Sequence, residues 1–89
     1  MAQGLIRRGL AACCNALPGF SSFYIWKGKQ EASQEVLLLV KTTERRLLET
    51  LAYLKREHPY ELPELIVLPV EGAEAGYLNW ILENTRKAK

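Results

Sequence analysis

Phe20-Ser-Ser-Phe-Tyr-Ile-Trp-Lys-Gly-Lys-Gln-Glu-Ala-Ser-Gln-Glu-Val-Leu-Leu-Leu-Val-Lys-Thr42 is the stretch that decides the fold. Its first part, up to Lys27, gathers the aromatic and β-branched residues Phe23, Tyr24, Ile25 and Trp26, which pleated strands favour. Lys27-Gly28-Lys29 interrupts it with a turn signal. Glu35 to Thr42 is an apolar run bounded by polar residues, too short for a typical helix and suited to a strand buried on both faces. Together these features predict a long β-hairpin.

Upstream, Cys13 to Leu17 reads as a further strand, with Pro18-Gly19 as a turn or bend before the hairpin resumes. Ala2 to Leu10 places Leu5, Ile6 and Leu10 at helical spacing with Arg7 and Arg8 off that face, as at the end of a helix. The pattern opens without an N-cap residue, so a preceding segment is expected. Downstream, Thr42 or Thr43 can cap a helix over Glu44 to His58. Its apolar side is read as Leu47, Leu48, Leu51, Ala52 and Leu54, and its charged side as Arg45, Arg46, Glu49, Lys55 and Arg56. Pro59 and Pro63 hold His58 to Glu64 in an extended loop. Leu65 to Val70 predicts a strand with an edge or bulge at Pro69, and Gly76 to Thr85 a short helix carrying Tyr77, Leu78, Trp80, Ile81 and Leu82. The order helix, strand, strand, helix, strand, helix predicts an α+β domain with its helices on one sheet face.

Length allows one domain over residues 1–89, and a chain this short buries only about 60–65% of its unfolded surface, which makes self-association an economical way to enlarge the core. The net charge of +2 comes from basic residues scattered along the chain, a pattern that speaks against nucleic-acid binding. No secretory leader or apolar run of membrane-spanning length is apparent, so a soluble cytoplasmic protein is expected. The two cysteines, Cys13 and Cys14, are adjacent and cannot form an ordinary structural disulfide with each other, which fits a reducing compartment.

Candidate chemistry concentrates in His58-Pro-Tyr-Glu-Leu-Pro-Glu64, which offers an imidazole, a phenol and carboxylates on a stiff loop. By spacing alone, His58 reads as the residue that ends a helix and favours its C-terminal dipole, because no second histidine stands nearby. Neighbouring residues on a strand face opposite ways, so Cys13 and Cys14 cannot jointly grip a metal in the usual way. Phe23, Tyr24 and Trp26 beside Lys27 and Lys29 could stack on bases, but two lysines are thin support, and core or subunit-interface mass is the stronger reading. Gly72 and Gly76 form neither a phosphate loop nor a dinucleotide fingerprint, and no nucleophile, base and orienting acid can be assembled. A non-enzymatic protein is expected.

Arg8-Gly-Leu-Ala-Ala-Cys-Cys-Asn15, Pro18-Gly19 with Ser22, Tyr24 and Trp26, Lys27-Gly-Lys29, Glu35 to Thr42, His58-Pro-Tyr60, Pro63-Glu64, Tyr77-Leu78 and Trp80-Ile81 resemble, in order and spacing, the CutA divalent-cation-tolerance family. The resemblance implies a ferredoxin-like βαββαβ subunit with an extra C-terminal helix, assembled into a homotrimer through extended strands, a layout shared with PII signalling proteins. The family's first strand is absent here, and with it one family cysteine ligand; Cys13 matches a different family cysteine. Either the sequence is truncated or a neighbouring chain fills the slot by strand exchange.

The same resemblance implies a divalent metal, copper before zinc, with His58 and Glu64 matching family metal positions. The implied function is cation tolerance by a trimeric, non-catalytic metal-binding protein. The alternative is a PII-like sensor of a small ligand at inter-subunit clefts, with Tyr24, Trp26, Lys41, Tyr60 and Tyr77 as possible lining.

Overall fold

A computed structural model describes residues 1–58 and 64–86. The hairpin dominates it: β1 (Cys13–Trp26) and β2 (Lys29–Lys41) pair antiparallel as a two-stranded sheet, from Trp26 opposite Lys29 at the tip to Cys13 opposite Lys41 at the base. Lys27 and Gly28 join them with φ values of 52° and 80°. Two positive φ angles make the mirror-image turn whose twist matches that of paired strands. Lys27 thus holds, with a β-carbon, a conformation that asparagine or glycine adopts at lower cost.

Pro18-Gly19 does not split the segment in two. β1 runs through it while the pairing steps from Leu17 opposite Leu37 to Phe20 opposite Glu35. Two residues of β1 therefore oppose one of β2 in a bulge, where proline has no ladder N–H to lose and Gly19 takes φ 75° without a β-carbon penalty. The bulge shifts the alternation of side chains. Cys14 and Ala16 share a face with Val40 and Leu38, but beyond the bulge that face continues through Ser21, Phe23 and Ile25. The opposite face carries Leu17, then Phe20, Ser22, Tyr24 and Trp26.

Helices α1 (Ala2–Arg7) and α2 (Leu47–Glu57), the latter entered through a 3-10 turn at Glu44–Arg46, supply the core. Leu5, Leu10, Ala11, Tyr53 and Leu54 are buried together, and Cys14, Val40 and Leu65 pack against them. This core covers the base of the hairpin, leaving Phe23 73% and Ile25 68% exposed. The expectation that 35–42 is buried on both faces is therefore corrected: Val36 and Leu39 are exposed, because among the described residues the helices cover only the base of the two-stranded sheet and no second layer lies over the rest.

The junctions are tied by hydroxyls. Thr42 and Thr50 both donate to the Leu10 carbonyl, the latter at 3.1 Å, filling its two acceptor positions. Thr43 takes the expected N-cap position, and its carbonyl accepts from the Arg46 N–H at 3.0 Å, but its side chain makes no cap bond and meets Thr85 Oγ1 at 3.2 Å instead. The buried side of α2 is also rotated from the sequence reading. Tyr53 and Thr50 are buried, while Leu48 is 81% exposed and Ala52 faces solvent. Tyr53 takes the position under α1 because Gly4 leaves room for its ring there.

The last helix, α3 (Ala75–Asn84), docks through Ile81 and Thr85. The strand expected over 65–70 does not form. Leu65 reaches the core, whereas Ile66, Val67, Leu68 and Val70 are exposed and join no ladder. A strand is defined by hydrogen bonds to a neighbour, and among the described residues none lies beside this segment.

Candidate functional site

His58 terminates α2. Its φ and ψ of −74° and 136° turn the chain out of the helix, its backbone N–H donates to the Leu54 carbonyl at 2.9 Å, and its residue is half-buried. Glu64 stands beside the exposed hairpin. It lines a shallow cleft of about 340 Å³ with Phe20, Ser22, Phe23, Tyr24, Glu35 and Leu37.

The floor of this cleft is organised by the hairpin register. Phe20, Ser22 and Tyr24 lie across from Glu35, Ser33 and Glu31 on one face. The Tyr24 hydroxyl donates to Ser33 Oγ at 3.3 Å, and Ser33 Oγ donates to Glu35 Oε1 at 2.9 Å. The relay fixes the Glu35 carboxylate beside the mouth that Glu64 also lines, and a cleft holding two carboxylates and a phenol favours a cationic or hydrogen-bond-donating guest. The structure thus brings Tyr24 and Glu64 together and adds Glu35, which the sequence reading missed. Its signal lay in the alternation of β2, where Glu31, Ser33 and Glu35 recur at every second position.

His58 is not among the residues that line this cleft. Among the described residues, no three His, Cys, Asp or Glu side chains gather as a metal-holding group. Within one chain, the described donors therefore do not complete a coordination set. The two cysteines diverge as expected. Cys14 packs against the core, where burial, then the neighbouring Cys13, push its thiol pKa up and keep it protonated; Cys13 Sγ instead lies 3.7 Å from Asn15 Oδ1.

The remaining cleft candidates are divided along the hairpin. Trp26 sits at the tip, with Lys27 Nζ 5.8 Å from its ring. Lys41 sits at the base, where its Nζ lies 5.8 Å from the Tyr77 ring, itself stacked on Trp80 at 5.7 Å. At about 3.3 Å per strand residue, tip and base are roughly 40 Å apart, so a single chain does not bring these residues into one site. Tyr60 lies outside the described residues.

Residues 1–84 match the family described as CutA1 divalent ion tolerance protein. The chain belongs to the CutA1 family. It is 43% identical over 86 residues to the divalent-cation tolerance protein CutA of Pectobacterium atrosepticum, a match that covers 97% of this chain and 78% of that protein. It is 44% identical over 81 residues to the protein CutA homolog of Xenopus laevis, covering 91% of this chain and 54% of the relative. The solved structure of the divalent cation tolerance protein Cut A1 from Thermus thermophilus superposes with a TM-score of 0.91 at 42% identity, over 96% of this chain and 82% of that one. This is a CutA1-type α+β chain, and its relatives carry the name of divalent-cation tolerance.

Proposed function

We propose that the protein acts in divalent-cation tolerance as a homotrimer that binds a divalent metal, copper in preference to zinc, in the cytoplasm and without catalysis. The observation that carries the assembly is the uncovered hairpin, on which Phe20, Phe23, Tyr24, Ile25 and Trp26 all stand open to solvent in a single chain. Large apolar side chains exposed on both sides of a projecting ribbon belong against another protein, and further copies of the same chain in a closed ring can supply it.

For the metal, His58 and Glu64 offer an imidazole and a carboxylate, a pair suited to copper or zinc. Two ligands fall short of the usual set, so in this reading a second subunit or water contributes the rest.

Two measurements test this reading. Light scattering at micromolar concentration should give about three chain masses; a stable monomer would overturn the assembly. Calorimetric titration with copper(II) and zinc(II) should show binding that weakens in His58→Ala, because the imidazole is the nitrogen ligand of the pair. Unchanged copper binding by His58→Ala would remove His58 from the site.

A second reading, a small-ligand sensor at subunit clefts, is favoured by one observation. Lys41, Tyr77 and Trp80 form a cation and aromatic platform on the surface. A melting temperature raised by a ligand in metal-free protein would support that reading over the first.

A further inference from the structure

A second cleft, of about 390 Å³, opens where the end of α1 meets α2. Its charged lining is three guanidinium groups, from Arg8, Arg46 and Arg56, against one carboxylate, Glu49. The surplus of two positive charges in this one place equals the net charge of the whole chain, whose other charges are dispersed.

The three arginines are held differently. Arg46 is 5% exposed, and its guanidinium is fixed on three sides. Nε donates to the Gly9 carbonyl at 3.3 Å, Nη2 to the Arg8 carbonyl at 3.3 Å and Nη1 to Glu49 Oε1 at 3.0 Å. These bonds use three of the five N–H groups an arginine carries, so donors remain for a further acceptor. Arg8 and Arg56 both lie against the Tyr53 ring, their central carbons 4.9 Å and 5.5 Å from its centroid.

Both central carbons lie against one ring, so the two like charges can be no farther apart than the sum of those two distances, about one Debye length, ~10 Å, and they repel. The ring offsets part of that repulsion through its negative faces. Glu57 lies 3.5 Å from Arg56 Nε, but both side chains are largely exposed, and such a pair neutralises little. A buried and oriented arginine beside two more exposed ones on a rigid aromatic support is a receptor for an oxyanion. The planar forks match phosphate oxygens two at a time, and a dianion would relieve the repulsion between Arg8 and Arg56.

We propose that this cleft binds a phosphate dianion, either the free ion or the phosphate group of a small phosphomonoester. Its volume falls at the lower end of small-molecule sites, about 300–1,000 Å³, which suits a compact ligand and not an extended polymer. The site shares no lining residue with the cleft at Glu64, and neither His58 nor Glu64 lines it.

Thermal melting of the intact protein in the presence of a chelator tests it, with inorganic phosphate and glycerol 3-phosphate each compared with chloride at equal ionic strength and pH. At about ten times its dissociation constant, the bound anion should raise the melting temperature by on the order of 5 °C or more. Arg56→Gln, at an exposed position, should weaken phosphate binding about tenfold or more, whereas Lys29→Gln at the hairpin tip should leave it unchanged. Phosphorus NMR line broadening on wild-type protein, competed by glycerol 3-phosphate, gives a readout that does not depend on any variant. A stronger effect from the ester assigns the site to a phosphorylated metabolite and an equal effect assigns it to the phosphate group alone; both uphold the proposal. No stabilisation or broadening beyond chloride, or an undiminished response in Arg56→Gln, overturns it.

Discussion

Replacing Gly4 by alanine should destabilise this protein, although the same change inside an exposed helix stabilises it by roughly 0.5–1 kcal/mol. A β-carbon at Gly4 would lie 1.9 Å from the Tyr53 hydroxyl oxygen and 3.0 Å from the ring carbon that carries it. No rotation within α1 relieves an overlap of that size, so Tyr53 has to leave its buried seat between the helices. Overpacking of a close-packed site costs about 1–3 kcal/mol, and moving a large aromatic toward water forfeits a comparable share of its burial. Against the helix-propensity gain, the net expectation is a loss of about 1–2 kcal/mol. Urea unfolding followed by circular dichroism, at one fixed protein concentration, measures it. The decisive comparison repeats Gly4→Ala in a Tyr53→Phe background, where the clashing oxygen is gone and the ring must give by only a few tenths of an ångström. Most of the penalty should vanish there, a coupling of about 1 kcal/mol or more. Stabilisation by Gly4→Ala in the wild-type background, or an equal penalty in both backgrounds, would refute the packing argument.

Lys27→Asn should stabilise the hairpin by several tenths of a kcal/mol, since asparagine accepts the positive φ that lysine resists; an unchanged urea midpoint would count against strain at the turn. Glu74 caps α3 by accepting from the backbone N–H of Gly76 at 2.7 Å and of Tyr77 at 3.0 Å, bonds that lower its pKa. A depressed carboxyl pKa contributes stability above its unfolded value and loses it as pH falls through the folded one. Glu74→Gln should therefore be less stable than wild type at neutral pH and approach it in acid, and a gap independent of pH would exclude the charged cap. Cys14, its thiol pushed up by burial, should alkylate more slowly in folded than in urea-unfolded protein at mildly alkaline pH, as peptide mass spectrometry would report; equal rates would contradict its packing.

The hairpin was legible because alternation and a glycine turn are local signals, and the helices α1, α2 and α3 were legible from apolar spacing. What escaped depends on neighbours. Pro18-Gly19 is a turn signal, yet here its two residues are absorbed by a bulge, since β2 runs past to hold both ends of β1 in register. Leu48 looks apolar enough to bury, but the space under α1 is shaped for Tyr53 by the missing side chain of Gly4, a pairing across about fifty residues that no window reveals. Residues 65–70 have strand composition without a strand's neighbour. At the site, Tyr24 and Glu64 were found by resemblance, and Glu35 needed the register that sets it across from Phe20. Arg8, Arg46 and Arg56 read as charged helix surface, because the buried seat of Arg46 comes from backbone carbonyls that sequence does not display.

The bulge at Pro18-Gly19 also sets what kind of neighbour the hairpin can accept. By shifting the alternation, it puts Phe23 and Ile25 on the side that faces the helices nearer the base, and Phe20, Tyr24 and Trp26 on the other. Both sides of the projecting half thus carry apolar bulk. A partner laid flat on it, as in a two-fold pair, would dry one side and leave the other wet. A head-to-tail ring, in which each ribbon is gripped between two adjoining protomers, dries both.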